Sequence, residues 1–183
     1  ISQEALTLAG HLRLQNLIVL FDDNAVTIDG STALSDATDQ IKRFKASGWN
    51  VARVDGHNMD AVRGALLAAQ TADRPSLIAC KTIIGFGAPN KQGTSATHGS
   101  PLGANEVAAV RETLGWPHAP FEIPADIVSA WRAVGAQHRQ THADWQARFD
   151  ASDRHEEFAA RMAGEIAPGD AFAAYLHKIA QDR

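Results

Sequence analysis

LIVLFDDNAVTIDG, residues 17–30, decides how the rest of the chain is understood. Five apolar residues, Leu17 to Phe21, are followed without transition by three oxygen-bearing side chains, Asp22, Asp23 and Asn24, and the segment closes on Asp29-Gly30. A continuous apolar run of strand length fits a strand buried on both faces, the pattern of a parallel sheet. In such a sheet, loops and helix N-termini converge at the carboxyl ends of strands, where ligands gather. Asp22-Asp23-Asn24 therefore fits two descriptions: a polar turn whose side chains bond their own backbone, or the oxygen donors of a hard cation such as Mg2+. In the second description the Asn24 side-chain oxygen and the Val26 carbonyl, two residues on, are ligands from one tight loop.

Working outward, apolar residues at Leu6, Ala9 and Leu12 or Leu14 have near-helical spacing ahead of the run. Behind it, Ile41 to Lys45 reads as a helix stopping at Ser47-Gly48, where glycine suits the C-cap. Trp49 to Val54 reads as a second strand and Ser76 to Thr82 as a third. Between them Met59, Val62, Leu66 and Ala69 share a helix face, and Arg74-Pro75 breaks that helix. Strand, helix, strand, helix, strand predicts an α/β fold, a parallel sheet flanked by helices. Residues 85–103 then change character, with Gly85, Gly87, Gly93, Gly99 and Gly103 among prolines and polar residues. An irregular stretch of that length inside a compact domain is usually functional. A helix, Asn105 to Leu114, a proline-punctuated WPHAPFEIP (116–124) and a helical tail follow. In the tail Trp131 with Val134, and Trp145 with Phe149, can share a helix face, and Pro168-Gly169 precedes a last helical piece, Asp170 to Ile179. The expected division is a domain over 1–124 with a helical C-terminal extension over 125–183.

Composition narrows the function classes. A chain of 183 residues with 45% apolar and 21% charged residues suits one ordinary globular domain. Net charge of −4 without a basic stripe points away from nucleic acid. No apolar run approaches the roughly 20 residues of a membrane span, so no membrane partner is expected. The single Cys80 rules out an internal disulfide and, in mid-strand, suits a small buried group rather than a nucleophile. The expected compartment is the reducing cytoplasm. His98, in THGSPLG, has little core to fill; it suits a solvated loop position or a group facing phosphate. His57, in VDGHN, fits turn chemistry, with Asp55 and Asn58 as capping residues. Glu4 fits a first-turn helix acid, and Ile28 and Ile84 are apolar residues beside polar loops.

In order and spacing, DDNAVTIDG, VDGHNMDA, CKTIIGFGAPNKQGTSATHGSPLG and LGWPHAPFEIP resemble the thiamine-diphosphate-binding domain of the transketolase family. The resemblance covers nearly the whole chain and is most specific over residues 17–30 and 76–124. It implies the thiamine-diphosphate-binding fold and transfer of a two-carbon ketol unit from a ketose phosphate to an aldose phosphate, as in the pentose phosphate pathway. Thiamine diphosphate and Mg2+ (or Ca2+) are the implied cofactors, and a homodimer the implied assembly. Asn24 matches the family asparagine whose side chain ligates the metal, and Val26 the position whose carbonyl does so. Ile28 and Ile84 match apolar positions packed on the cofactor. His98 matches the histidine that reaches diphosphate and substrate, and Glu4 a glutamate near the dimer interface that links two cofactor sites.

The departures carry expectations too. The family's GDG element, whose Asp is a further metal ligand, is not in these 183 residues; nor is the pyrimidine-binding domain, and Ser95 stands where many relatives have a histidine. The chain therefore reads as part of a transketolase that depends on the remainder of that protein, inactive and prone to self-association by itself. The alternatives are another thiamine-diphosphate transferase, of the dihydroxyacetone or deoxyxylulose phosphate synthase type, or a non-catalytic interaction domain derived from the fold.

Overall fold

A computed structural model describes residues 2–165; the expected Pro168-Gly169 break and the Asp170 to Ile179 helix lie outside them. The chain divides into two compact units, Ile1–Pro117 and His118–Arg183, so the division falls inside WPHAPFEIP.

The first unit opens with α1 (Ser2–His11), then β1 (Ile18–Asp23) and a small hairpin, β2 (Val26–Thr27) and β3 (Gly30–Ser31). α2 (Gln40–Ala46), β4 (Asn50–Asp55), α3 (Met59–Gln70), β5 (Ser76–Lys81) and α4 (Ala104–Thr113) complete it. The helices start where capping chemistry permits. Asp39 accepts from the Lys42 amide ahead of α2, and Asn58 accepts from the Asp60 and Ala61 amides ahead of α3.

The sheet is parallel, in the order β1-β5-β4. The chain skips a position from β1 to β4 and then returns to insert β5 between them. Right-handed crossovers in opposite directions put their helices on opposite faces, and the packing follows. β5 sends Leu77 to one face, where Ala9 of α1, Trp49 and the half-buried Ile41 and Phe44 meet it. It sends Ile78 and Cys80 to the other, against Ala69 and the half-buried Val62 and Leu66 of α3. α1 and α2 approach closely at Gly10, where a Cβ would lie 1.8 Å from the Ser47 carbonyl oxygen. The Trp49 indole then ties the layer by donating to the Leu6 carbonyl at 2.9 Å.

One expectation is corrected. The apolar run over 17–21 predicts burial on both faces, yet Leu20 is 53% and Phe21 37% exposed, whereas every residue from Ser76 to Cys80 is buried. Among the described residues β1 is an edge strand with β5 as its one neighbour, and an apolar run alone does not specify how many neighbours a strand has. Cys80 is buried as expected, and burial, with a contribution from Asp22, pushes its thiol above the ordinary range.

The second unit holds α5 (Ala125–Ala136), α6 (Arg139–Asp150) and α7 (His155–Met162). Trp145 and Phe149 stack with centroids 5.2 Å apart, and Phe158 meets Phe149 edge-on at 5.7 Å. Trp131 and Val134 are exposed. Among the described residues no helix is long and apolar enough to cross a membrane.

Candidate functional site

The parallel register aligns Asp23, Lys81 and Asp55 at one edge of the sheet, so the three following loops begin side by side. In the first loop Asn24 Oδ1 accepts from the Val26 amide at 3.0 Å and Nδ2 donates to Asp22 Oδ2 at 3.0 Å. Between them Ala25 is left-handed, φ +62°, a conformation costing a non-glycine residue about 1 kcal/mol or more. The strain is stored in a tight turn that presents the Asn24 side chain and the Val26 carbonyl from neighbouring positions.

Both aspartates are also engaged by other side chains. Asp22 Oδ1 accepts from the Thr82 hydroxyl across the sheet edge. Asp23 is 3.9 Å from both Arg53 and Lys81. Asn24 Oδ1, by contrast, accepts one hydrogen bond here and has a second lone pair. A cleft of about 320 Å³ opens beside this turn, lined by Asp22, Asn24, Val26, Asp36, Asp39 and Arg53 among others. Hydrogen bonds from Thr38 hold the Asp36 carboxyl below its usual range, and the Lys42 amide does the same for Asp39. Both acids therefore stay ionised, and the cleft carries a negative excess.

The second loop is the glycine-rich stretch after β5, and it is folded on itself rather than structureless. Gly93 donates to the Ile84 carbonyl at 2.8 Å. Gly85 is left-handed, φ +65°, and a Cβ there would lie 2.6 Å from Thr97 Cγ2, so only glycine lets the two limbs touch. A 3-10 turn over Ser95–Thr97 leads into half-buried His98. The limb is anchored to α4: Glu106, 7% exposed, accepts from the Asn90 amide, the Asn90 side chain and the Lys91 amide at 2.8 to 3.1 Å. The Asn90 side chain foremost, then those amides, hold the Glu106 carboxyl below the usual range. Lys91 Nζ donates to the Leu102 carbonyl at 2.8 Å.

The third loop supplies a contact that the sequence does not disclose. Asp55 accepts from the His57 amide and Asn58 caps α3, as expected. The His57 imidazole, however, accepts from the Ile83 amide at 2.9 Å and stacks on Phe86 at 4.2 Å. Thr82, His57 and Glu106 act across 60, 26 and up to 16 residues of chain; no local pattern marks such pairings.

The residues singled out from sequence are thus distributed unevenly. Asn24 and Val26 share one turn. Thr82, two residues before Ile84, is bonded to Asp22 of that turn, and Gly85, one residue after it, lies against Thr97 of the His98 limb. Ile28 stands at the tip of the β2–β3 hairpin, 70% exposed. Glu4 lies in an open hollow on α1 beside Gln3, Thr7 and His11. None of Ile28, Glu4, Ile84 and His98 lines the cleft; Asn24 and Val26 do.

Among the described residues no group of three or more His, Cys, Asp or Glu side chains is placed to hold a metal ion. Of the oxygen groups at this edge, the Asn24 amide oxygen and the Val26 carbonyl are hard ligands of the type that Mg2+ or Ca2+ takes alongside other oxygen ligands and water.

Comparison with known proteins places the chain in a family. Residues 1–168 match the family described as transketolase, thiamine diphosphate binding domain. The transketolase of Cereibacter sphaeroides is 49% identical over 183 residues, covering 100% of this chain and 28% of that protein. That of Rhodobacter capsulatus is 50% identical, covering 99% and 27%. The crystal structure of transketolase from Campylobacter jejuni superposes with a TM-score of 0.79 at 30% identity, over 87% of this chain and 25% of the other. The chain spans about a quarter of the length of these relatives. It belongs to the transketolase thiamine-diphosphate-binding domain family.

Proposed function

We propose that the protein carrying this chain is a transketolase, moving a two-carbon ketol unit from a ketose phosphate to an aldose phosphate, and that this chain supplies part of its metal and diphosphate site. The observation that carries the proposal is the joined edge: a strained turn presenting Asn24 and Val26, bonded through Asp22 and Thr82 to the loop of Ile84 and His98. When bound, thiamine diphosphate supplies an electron sink for breaking and making the carbon–carbon bond.

The chain's own residues bind and orient. Asn24 Oδ1 and the Val26 carbonyl hold Mg2+ (or Ca2+), and the acidic cleft beside them favours a cation there. Ile84 and Ile28 offer apolar contact to the cofactor. His98 donates a hydrogen bond toward the diphosphate and the sugar substrate, a catalytic role at the substrate itself. Glu4 sits toward the partner subunit of a cytoplasmic homodimer, and residues 125–183 extend the same domain. The chain spans about a quarter of the length of its transketolase relatives, so ketol transfer belongs to the whole protein and is not expected of these 183 residues by themselves.

A coupled assay of the full-length protein with ketose phosphate donors and several acceptors tests this. Transfer to aldose phosphates, dependent on both thiamine diphosphate and a divalent cation, is the expected result. Transfer to a different acceptor class would indicate another thiamine-diphosphate transferase; cofactor-independent behaviour would indicate a non-catalytic domain.

A further inference from the structure

The turn after β4 is fastened to the end of β5. The Gly56 amide donates to the Lys81 carbonyl at 2.7 Å, and a Cβ at Gly56 would lie 2.6 Å from Thr82 Cγ2. From this fixed base His57 reaches forward. Its Nε2 accepts from the Ile83 amide at 2.9 Å, and its ring stacks on Phe86 with planes 25° apart. The two contacts bracket Ile84 and Gly85, the point at which the loop turns back against Thr97, next to His98.

Accepting from an amide requires an unprotonated Nε2, hence a neutral imidazole with its proton on Nδ1. We infer that His57 is a positioning residue: its neutral imidazole holds the Ile83–Phe86 segment, and with it Ile84, in the arrangement that receives the cofactor. The inference rests on the function proposed above and deepens it, since it makes cofactor affinity depend on a side chain outside the ligand set. Without that acceptor the Ile83 amide has no partner on the ring, and the segment is released. The charged groups around it do not replace this role. Asp55 is bonded to the His57 amide, Asp60 pairs with Arg63 on α3, and Lys81 is directed at Asp23. The segment packed on the ring, Ile83 to Phe86, has no titratable side chain.

Three full-length proteins test this: wild type, His57→Gln, which keeps an acceptor, and His57→Phe, which keeps a stacking ring and no acceptor. Two readouts are taken at the same pH for all three. One is protection of the 81–86 amides in cofactor-free protein, by hydrogen exchange with mass spectrometry and corrected for intrinsic rates. The other is the affinity for thiamine diphosphate in saturating Mg2+, by calorimetry. His57→Phe should lose protection and affinity together, by about fivefold to tenfold relative to wild type, the worth of one hydrogen bond. His57→Gln, which restores an acceptor, should retain both. Unchanged protection and affinity in His57→Phe, or losses in His57→Gln equal to those in His57→Phe, would overturn the inference. If wild type binds no thiamine diphosphate, the proposed function fails and the cofactor half of the inference fails with it. The amide readout then decides the clamp alone.

Discussion

Val19-Leu20-Phe21 and Leu77-Ile78-Ala79 lie side by side in the same register, read alike as apolar strand, and end in opposite environments. The second is fully buried between two helix layers; in the first, Leu20 and Phe21 are substantially exposed. Position in the sheet, not the apolar run, sets burial. β5 is the strand inserted last and paired on both sides, so it carries the core, while β1 delivers Asp22 to Val26 to the edge where the site lies.

Truncation separates the two strands most sharply. Ile78→Ala should cost about 2–5 kcal/mol in urea unfolding of the chain, whereas Leu20→Ala should cost less than about 1 kcal/mol. Equal costs would break the comparison. The same pair in the full-length protein sharpens it, since a larger Leu20→Ala cost there would show that the rest of the protein covers β1. Next in size is Gly10→Ala, which forces a Cβ onto the Ser47 carbonyl and should cost about 1–3 kcal/mol by overpacking; a neutral result would mean that α1 slides freely over the β5 core.

The smallest effect concerns the loop that β5 feeds. The Glu106 carboxyl is held below its usual range by the Asn90 side chain and the Asn90 and Lys91 amides. A group with a depressed folded-state value contributes stability above the ordinary carboxylate range and loses it as pH falls through the lowered value. Protection of the Asn90 and Lys91 amides, corrected for intrinsic exchange rates, should therefore fall only in acid, and Glu106→Gln should abolish that dependence. A midpoint at the ordinary glutamate value would show that the three bonds do not favour the ionised form.

Much of this is legible in the sequence. Helix periodicity around Val62 and Leu66, capping at Asn58 and the apolar runs locate the elements to within a residue or two, because each signal is local. Strand order is not legible, since nothing in Leu77-Ile78 specifies two neighbours and nothing in Val19-Leu20 specifies one. At the site, the Asx geometry of Asn24 and Val26 follows from residue type, and the choice of Asn24 over the aspartates is supported by the engagement of Asp22 with Thr82 and of Asp23 with Arg53 and Lys81. The loop's ties to His57 and Glu106 pair residues far apart in the chain, and composition alone makes the stretch look structureless.

The central claim is that the Asp22 to Val26 turn at the end of β1 is a metal and diphosphate site. Calorimetric titration of full-length protein with thiamine diphosphate, with and without Mg2+, for wild type and Asn24→Ala, tests it most directly. Tight binding that requires Mg2+, weakened about 10- to 100-fold or more by Asn24→Ala, is the predicted result. Binding of equal strength in the variant, or binding indifferent to Mg2+, would contradict it.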